Sequence, residues 1–190
     1  MATSGTAYRQ VIKELETGTY RPIYYLMGDE PFFIDSIADF IRDHALPEQD
    51  RDFNQIVLYG NETTMNEVIQ RARAYPMGAE RQVIIVKEAQ HLVKKDSDNG
   101  AGSPSDILSS YLKQPQESTI LVFCHKNGSL DRRKKVVSAI EKAGLLFESK
   151  KVKDDALPSF IEEFLSERKI RMSAKAVAMM IESVGADLCV

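Results

Sequence analysis

Two spacings of apolar residues alternate along most of the chain. Ile23–Met27, Val83–Val86 and Thr119–Cys124 are continuous apolar runs, which read as strands covered on both faces. Between such runs the spacing becomes helical. Tyr8, Val11, Ile12 and Leu15 fall at i, i+3, i+4 and i+7 and are closed by Gly18. After the Gly28 turn, Pro31 sits in the first turn of a helix carrying Phe33, Ile34, Ile37, Phe40 and Ile41. Pro47 and a polar segment end that unit, and Phe53, Ile56 and Leu58 predict a strand broken by Gly60 and Asn61. Thr64 and Glu67 have capping-box spacing ahead of the stripe Met65, Val68, Ile69 and Ala72. Lys94–Ser105 is almost wholly polar and predicts a mobile surface loop. Ser103 and Pro104 start a helix with Ile107, Leu108, Tyr111 and Leu112, stopped by Pro115. Val136, Val137 and Ile140 mark another helix ending at Gly144, and Leu145–Phe147 begins a fifth strand.

Strand and helix thus alternate through roughly residue 150, which predicts an α/β domain: a five-stranded, mostly parallel sheet with helices on both faces. From Asp154 the pattern is helical only. Leu157, Phe160, Ile161, Phe164 and Leu165 form one stripe, and Val177, Met180, Ile181 and Val184 another between Ser173 and Gly185. A boundary near Val152 separates a first unit, residues 1–151, from the start of a small all-helical domain, residues 152–190. The chain therefore reads as a fragment of a longer protein.

Charge changes the picture locally rather than globally. The net charge of −3 offers no bulk polycation for nucleic acid. Lys126–Lys153, however, holds nine Lys and Arg against Asp131, Glu141 and Glu148, an excess of six. There is no secretory leader and no apolar run long enough to span a membrane. Cys124 in an apolar run and Cys189 near the end read as reduced thiols of a cytoplasmic protein.

A parallel sheet directs the search for chemistry to the strand ends. The first strand–helix turn reads Met27-Gly28-Asp29-Glu30-Pro31, with carboxylates and a proline where a phosphate loop needs lysine and a hydroxyl. Like charges about 4 Å apart repel by roughly 1 kcal/mol in water and more when partly buried, so Asp29 and Glu30 would repel a triphosphate. Both are better read as helix caps. Lys87 stands where an ATPase places a Mg²⁺ ligand, and His125 and Asn127, at a phosphate-sensor position, read as turn formers. His44, His91 and His125 lie far apart in sequence and neither cysteine has metal-ligand spacing. No nucleophile–base pair stands out, so no catalytic residue, cofactor or metal ligand is assigned.

The remaining conspicuous stretch is Tyr75-Pro76-Met77-Gly78, two large apolar side chains between a helix and a strand. Pro76 disfavours helix at Tyr75. If exposed, this tip is a contact surface; otherwise Tyr75 and Met77 pack under the sheet edge. The order Tyr24-Tyr25-Leu-Met-Gly-Asp-Glu-Pro-Phe-Phe, then Tyr75-Pro-Met-Gly-Ala-Glu-Arg-Gln-Val-Ile-Ile-Val-Lys, resembles the delta subunit of the bacterial DNA polymerase III clamp loader. Thr119-Ile-Leu-Val-Phe, Asp131-Arg-Arg-Lys-Lys and Gly185-Ala-Asp-Leu continue it over nearly the whole chain.

The resemblance implies an AAA+-like domain without ATPase chemistry that binds and opens the ring-shaped sliding clamp (the beta subunit) for loading onto primed DNA. ATP hydrolysis is then supplied by the partner subunits gamma/tau and delta prime. The family is longer, adding the rest of a helical domain and a C-terminal collar. Carried over residue by residue, its clamp-gripping positions are Tyr75, Met77 and Gly78, the last a departure because an aromatic commonly stands there. Arg132, Arg133, Lys134 and Lys135 are read either as solvated surface or as contacts to DNA phosphates. Two other classes stay open at this point: a non-replicative interaction adaptor on a degenerate NTPase fold, and an NTP-dependent enzyme.

Overall fold

The computed structural model describes residues 4–94, 102–185 and 188 of the 190-residue chain. Five strands form one sheet: β1 (Ile23–Gly28), β2 (Gln55–Tyr59), β3 (Gln82–Lys87), β4 (Thr119–Lys126) and β5 (Leu145–Ser149). Their order is β2-β3-β4-β1-β5, and every adjacent pair is parallel. This is the five-stranded parallel sheet flanked by helices that the sequence pattern predicts.

The continuous apolar runs are strands because both faces of the sheet are covered. Ile84 and Val86 pack to one side with Tyr25, Met27, Leu121 and Phe123, while Val83 and Ile85 pack to the other with Tyr24, Leu26 and Val122. The first side is closed by α4 (Met65–Ala72), α6 (Pro104–Tyr111) and α7 (Lys135–Ala143). The second is closed by α1 (Ser4–Glu16) and α2 (Pro31–His44). Alternate strand residues thus enter different layers, as the pleat requires.

The predicted capping box at the start of α4 is present in full: the Thr64 hydroxyl accepts the Glu67 N–H, and the Glu67 carboxylate accepts the Thr64 N–H at 2.8 Å. Donation from the Thr64 backbone N–H, with the Thr63 and Thr64 hydroxyls, holds the Glu67 carboxyl below its ordinary pKa. Ser103 likewise caps α6, accepting the Asp106 N–H at 3.2 Å.

Three sequence expectations are corrected. The polar segment after Pro47 is a helix, α3 (Glu48–Asn54), so Phe53 is the penultimate residue of a helix and β2 starts only at Gln55. Helix α3 buries a single residue and so carries no apolar period to read. A five-residue helix, α5 (Gln90–Lys94), follows β3 where no element was expected. His125 is not a turn former but a buried member of β4, its Nδ1 3.0 Å from the Tyr25 hydroxyl, whereas Asn127 does turn the chain with φ +54°. Of the predicted loop at Lys94–Ser105, residues 95–101 lie outside the described residues.

The helical tail consists of α8 (Leu157–Glu167) and α9 (Ala174–Val184), with Ser173 capping α9 as expected. Leu157, Ile161 and Val177 form its own small cluster. Phe160 also reaches the main body, its ring 5.6 Å from that of Phe33, and Phe164 lies 5.5 Å from Phe32. An ion pair joins Arg9 of α1 to Glu163. In the second predicted stripe Val177 is buried but Met180 is exposed, and the Val184 side chain lies outside the described residues, as do Ala186, Asp187 and Cys189. Among the described residues no helix is long and apolar enough to cross a membrane.

Candidate functional site

Parallel strands give the sheet two chemically different ends. The connection from α4 to β3 lies at the N-terminal end, and the crevice where α/β proteins hold nucleotides lies at the C-terminal end. Strand β3 has six residues, so the two ends stand about 20 Å apart at roughly 3.3 Å per residue.

At the N-terminal end, Tyr75 and Met77 project into solvent, 79% and 68% exposed, while Pro76 between them is half-buried. Gly78 follows with φ +68°, a left-handed conformation that a side chain would strain, and a Cβ there would meet nothing within 4 Å. The tip is therefore solvent-facing, not core. The connection that carries it, from the end of α4 to Met77, is nevertheless held by three buried polar side chains. Register pairs Gln55 with Val83 and Gln82 with Thr119, so Asn54, Gln82 and Thr119 form a row across three neighbouring strand starts.

Each member of that row fixes a different part of the connection. The Thr119 hydroxyl donates to the Ala72 carbonyl at 2.9 Å. The Gln82 amide donates to the Ala74 carbonyl at 2.6 Å and lies within reach of the Arg71 carbonyl at 3.2 Å. Asn54 holds Met77 itself: its Oδ1 accepts the Met77 N–H at 2.6 Å, and its Nδ2 donates to the Met77 carbonyl at 3.1 Å. Buried polar groups need such partners, and here they are backbone groups at the end of α4, at Ala74 and, for Asn54, at Met77 in the exposed tip. Sequence reasoning missed all three residues. It also missed that Phe53, 68% exposed beside Asn54, adds apolar surface at the same end.

At the C-terminal end the first strand–helix turn is closed by β5. The Ser149 carbonyl accepts the Asp29 N–H at 3.1 Å. The Ser149 hydroxyl accepts the Glu30 N–H at 3.2 Å and donates to the Met27 carbonyl at 3.3 Å. The Phe32 N–H goes to the Glu30 carboxylate at 3.4 Å, so Glu30 is the helix cap. Asp29 is exposed and is not that cap. A phosphate loop presents backbone N–H groups to its ligand; here Asp29 and Glu30 spend theirs on Ser149. Gly28 permits this approach: its φ is +129°, and a Cβ would overlap the Ser149 backbone. Lys126 is also engaged, its ammonium 2.7 Å from Asp35.

The basic turn Arg132–Lys135 belongs to this C-terminal end as well, so the structure does not bring it together with the tip. Both of its arginines face carboxylates. Arg132 bonds Glu148 and lies 3.8 Å from Glu141. The Arg133 guanidinium lies 2.8 Å from Asp131 and holds that carboxyl down at about 2. All four basic side chains are exposed. No cluster of three or more metal-ligating side chains occurs among the described residues. Cys124, buried in β4, has its thiol pushed up to about 12 by desolvation.

The family described as DNA polymerase III, delta subunit matches residues 24–150, from β1 through the end of β5. The chain belongs to this family. The matched span contains both the tip and the closed crevice of this delta-family chain. A curated relative, DNA polymerase III subunit delta of Bacillus subtilis (strain 168), is 28% identical over 142 residues. That alignment covers 75% of this chain and 41% of the relative. The solved structure of the Bacillus subtilis DNA clamp loader delta protein (YqeN) superposes with a TM-score of 0.78 at 23% identity, which establishes the shared fold. It covers 96% of this chain and 54% of that one. The delta-family chain thus spans about half the length of the relatives it matches or less.

Proposed function

We propose that this chain is the clamp-gripping part of a clamp-loader delta subunit: the 75–78 tip inserts into an apolar pocket on the sliding clamp and favours the ring's open state. The observation that carries this reading is the pairing of two solvent-facing apolar side chains, Tyr75 and Met77, with a backbone tied down by buried polar residues. Large apolar side chains exposed on a rigid support have the character of interface anchors, because little ordering entropy remains to be lost on docking. Methionine adapts its shape to a pocket, and tyrosine adds apolar area with a polar end. With glycine at position 78 the grip rests on two side chains, and Gly78 supplies the turn.

In this reading residues 1–151 are the clamp-binding unit and residues 152–190 open a helical lid domain. The chain itself neither binds nor hydrolyses ATP, since the N–H groups of the would-be phosphate loop are taken by Ser149 and by Glu30. Hydrolysis belongs to the gamma/tau and delta prime partners of a cytoplasmic assembly on primed DNA. The basic turn Arg132–Lys135, with all four side chains exposed, is the segment nearest in character to a phosphate contact.

Titration of the chain with its cognate sliding clamp tests the proposal. Saturable binding that depends on Tyr75 and Met77 is expected. No binding at micromolar clamp would remove the assignment.

A further inference from the structure

Asn54 ends a helix that otherwise buries nothing. Of the seven residues of α3 only Asn54 is buried, at 2% exposed, yet its side chain belongs to no apolar cluster. Its side-chain bonds all go to backbone groups. Its Oδ1 accepts the Met77 N–H and its Nδ2 donates both to the Met77 carbonyl and to the Asp50 carbonyl, each of these two at 3.1 Å. The orientation of the amide follows from chemistry, because a backbone N–H must meet the oxygen and a backbone carbonyl the nitrogen. A side-chain amide is isosteric with a peptide group. It thus pairs with both backbone groups of one residue, as a neighbouring strand would.

We propose that Asn54 is the positioning residue of the tip: it holds Met77 in its clamp-competent conformation and ties the tip to α3. This inference rests on the clamp-gripping reading above. The alternatives to asparagine at this position fail on inventory. Aspartate offers no donor, serine and threonine have one short oxygen, and alanine has neither group. The row from Thr119 through Gln82 to Asn54 then divides its roles. The first two fix where α4 ends, and only Asn54 fixes the contact residue itself. Without the bracket the tip samples other conformations, and apparent affinity falls by the fraction that stays competent.

Asn54→Ala, Met77→Ala and the double variant of this chain decide the matter, with clamp affinity and residue-resolved amide exchange as the two readouts. In Asn54→Ala the Met77 amide should exchange at least about tenfold faster, while Ile84 and Leu121 keep their protection. Clamp affinity should fall about tenfold in the otherwise unaltered chain but less than about threefold in the Met77→Ala background, since a residue acting through Met77 cannot act twice. Asn54→Asp keeps the acceptor for the Met77 N–H and loses both donations. It should fall between the wild type and Asn54→Ala, and it supplies the same comparison if the alanine variant folds poorly. Equal losses in both backgrounds, wild-type exchange at Met77, or lost protection at Ile84 and Leu121 in both Asn54→Ala and Asn54→Asp would each overturn the proposal. If the unaltered chain does not bind the clamp, the functional reading fails instead; the Met77 amide still reports whether the bracket exists.

Discussion

Truncating the tip separates contact from core. Tyr75→Ala and Met77→Ala remove side chains that are 79% and 68% exposed in the free chain, so the folded state loses little. Surface changes of this kind stay within about 0.5 kcal/mol. For a chain of this length that is a shift of about 2 °C or less in Tm. On the clamp the balance reverses. A tyrosine offers about 200 Å², so 79% exposure leaves roughly 160 Å² to cover, or about 4 kcal/mol as a ceiling at 25 cal/mol per Å². Complete burial of methionine contributes about 1.5–3 kcal/mol, and two-thirds of that is about 1–2 kcal/mol. Both figures bracket about 2 kcal/mol, the usual cost of truncating an interface anchor and roughly thirtyfold in Kd.

The assay is a calorimetric or interferometric titration of each variant with the cognate clamp, beside a thermal melt. Arg132→Ala serves as the control, because it lies at the opposite end of the sheet and should leave clamp affinity almost unchanged. Wild-type affinity in both apolar variants would show that the contact has been assigned to the wrong residues. Melting well below the wild type would show that the side chains support the fold, contrary to their exposure.

Three further outcomes follow from the closed crevice and the buried sheet. Gly28→Ala should cost about 2–5 kcal/mol in urea unfolding, since it combines a disfavoured φ with overlap onto the Ser149 backbone; a loss under 1 kcal/mol would mean that β5 yields there. Calorimetry with millimolar Mg-ATP should give no saturable heat, and a clear isotherm would show that the Asp29 and Glu30 N–H groups leave Ser149 for a phosphate. Cys124, with its thiol pushed up to about 12, should resist alkylation at pH 8 in a Cys189→Ser background until denaturant is added. At that pH the buried thiol stays almost wholly protonated, so native-state labelling within minutes would contradict the burial.

What the sequence disclosed and what it withheld divide along physical lines. Strands β1, β3 and β4 were legible because a strand buried on both faces must be apolar throughout, and α4 because its caps are local chemistry. Helix α3 was not, since EQDRDFN has one inward residue and that residue is polar. Phe53 then looked like the start of a strand because it is a large apolar residue just ahead of the alternating Ile56 and Leu58, although its own spacing of three does not fit period two. Tyr75 and Met77 were readable as a tip through Pro76 between them, but whether the tip faced solvent was a tertiary question. Asn54, Gln82 and Thr119 stand at the edges of strands, where polar residues ordinarily signal only that an element begins. Their partners lie 23, 8 and 47 residues away, beyond any local pattern.

In the proposed reading, the two ends of the sheet also explain how one fold can lose nucleotide chemistry and keep a rigid contact. In an ATPase the C-terminal crevice must stay open, with unsatisfied N–H groups aimed at the phosphates. Here the same groups bond to Ser149 and Glu30, which joins β1 to β5 at the sheet edge and, in the proposed reading, leaves no donors for a phosphate. The tip draws on none of those bonds. It is held by Asn54, Gln82 and Thr119 at the other end, about 20 Å away along β3 by strand geometry. Changes at Gly28 or Ser149 should therefore act on global stability, and changes at Asn54 on the tip alone. A variant that weakens the crevice contacts without unfolding the chain should leave Met77 protected. Coupling between the two ends would instead require a rearrangement of β3 itself, whose Val83–Val86 core is fully packed on both faces.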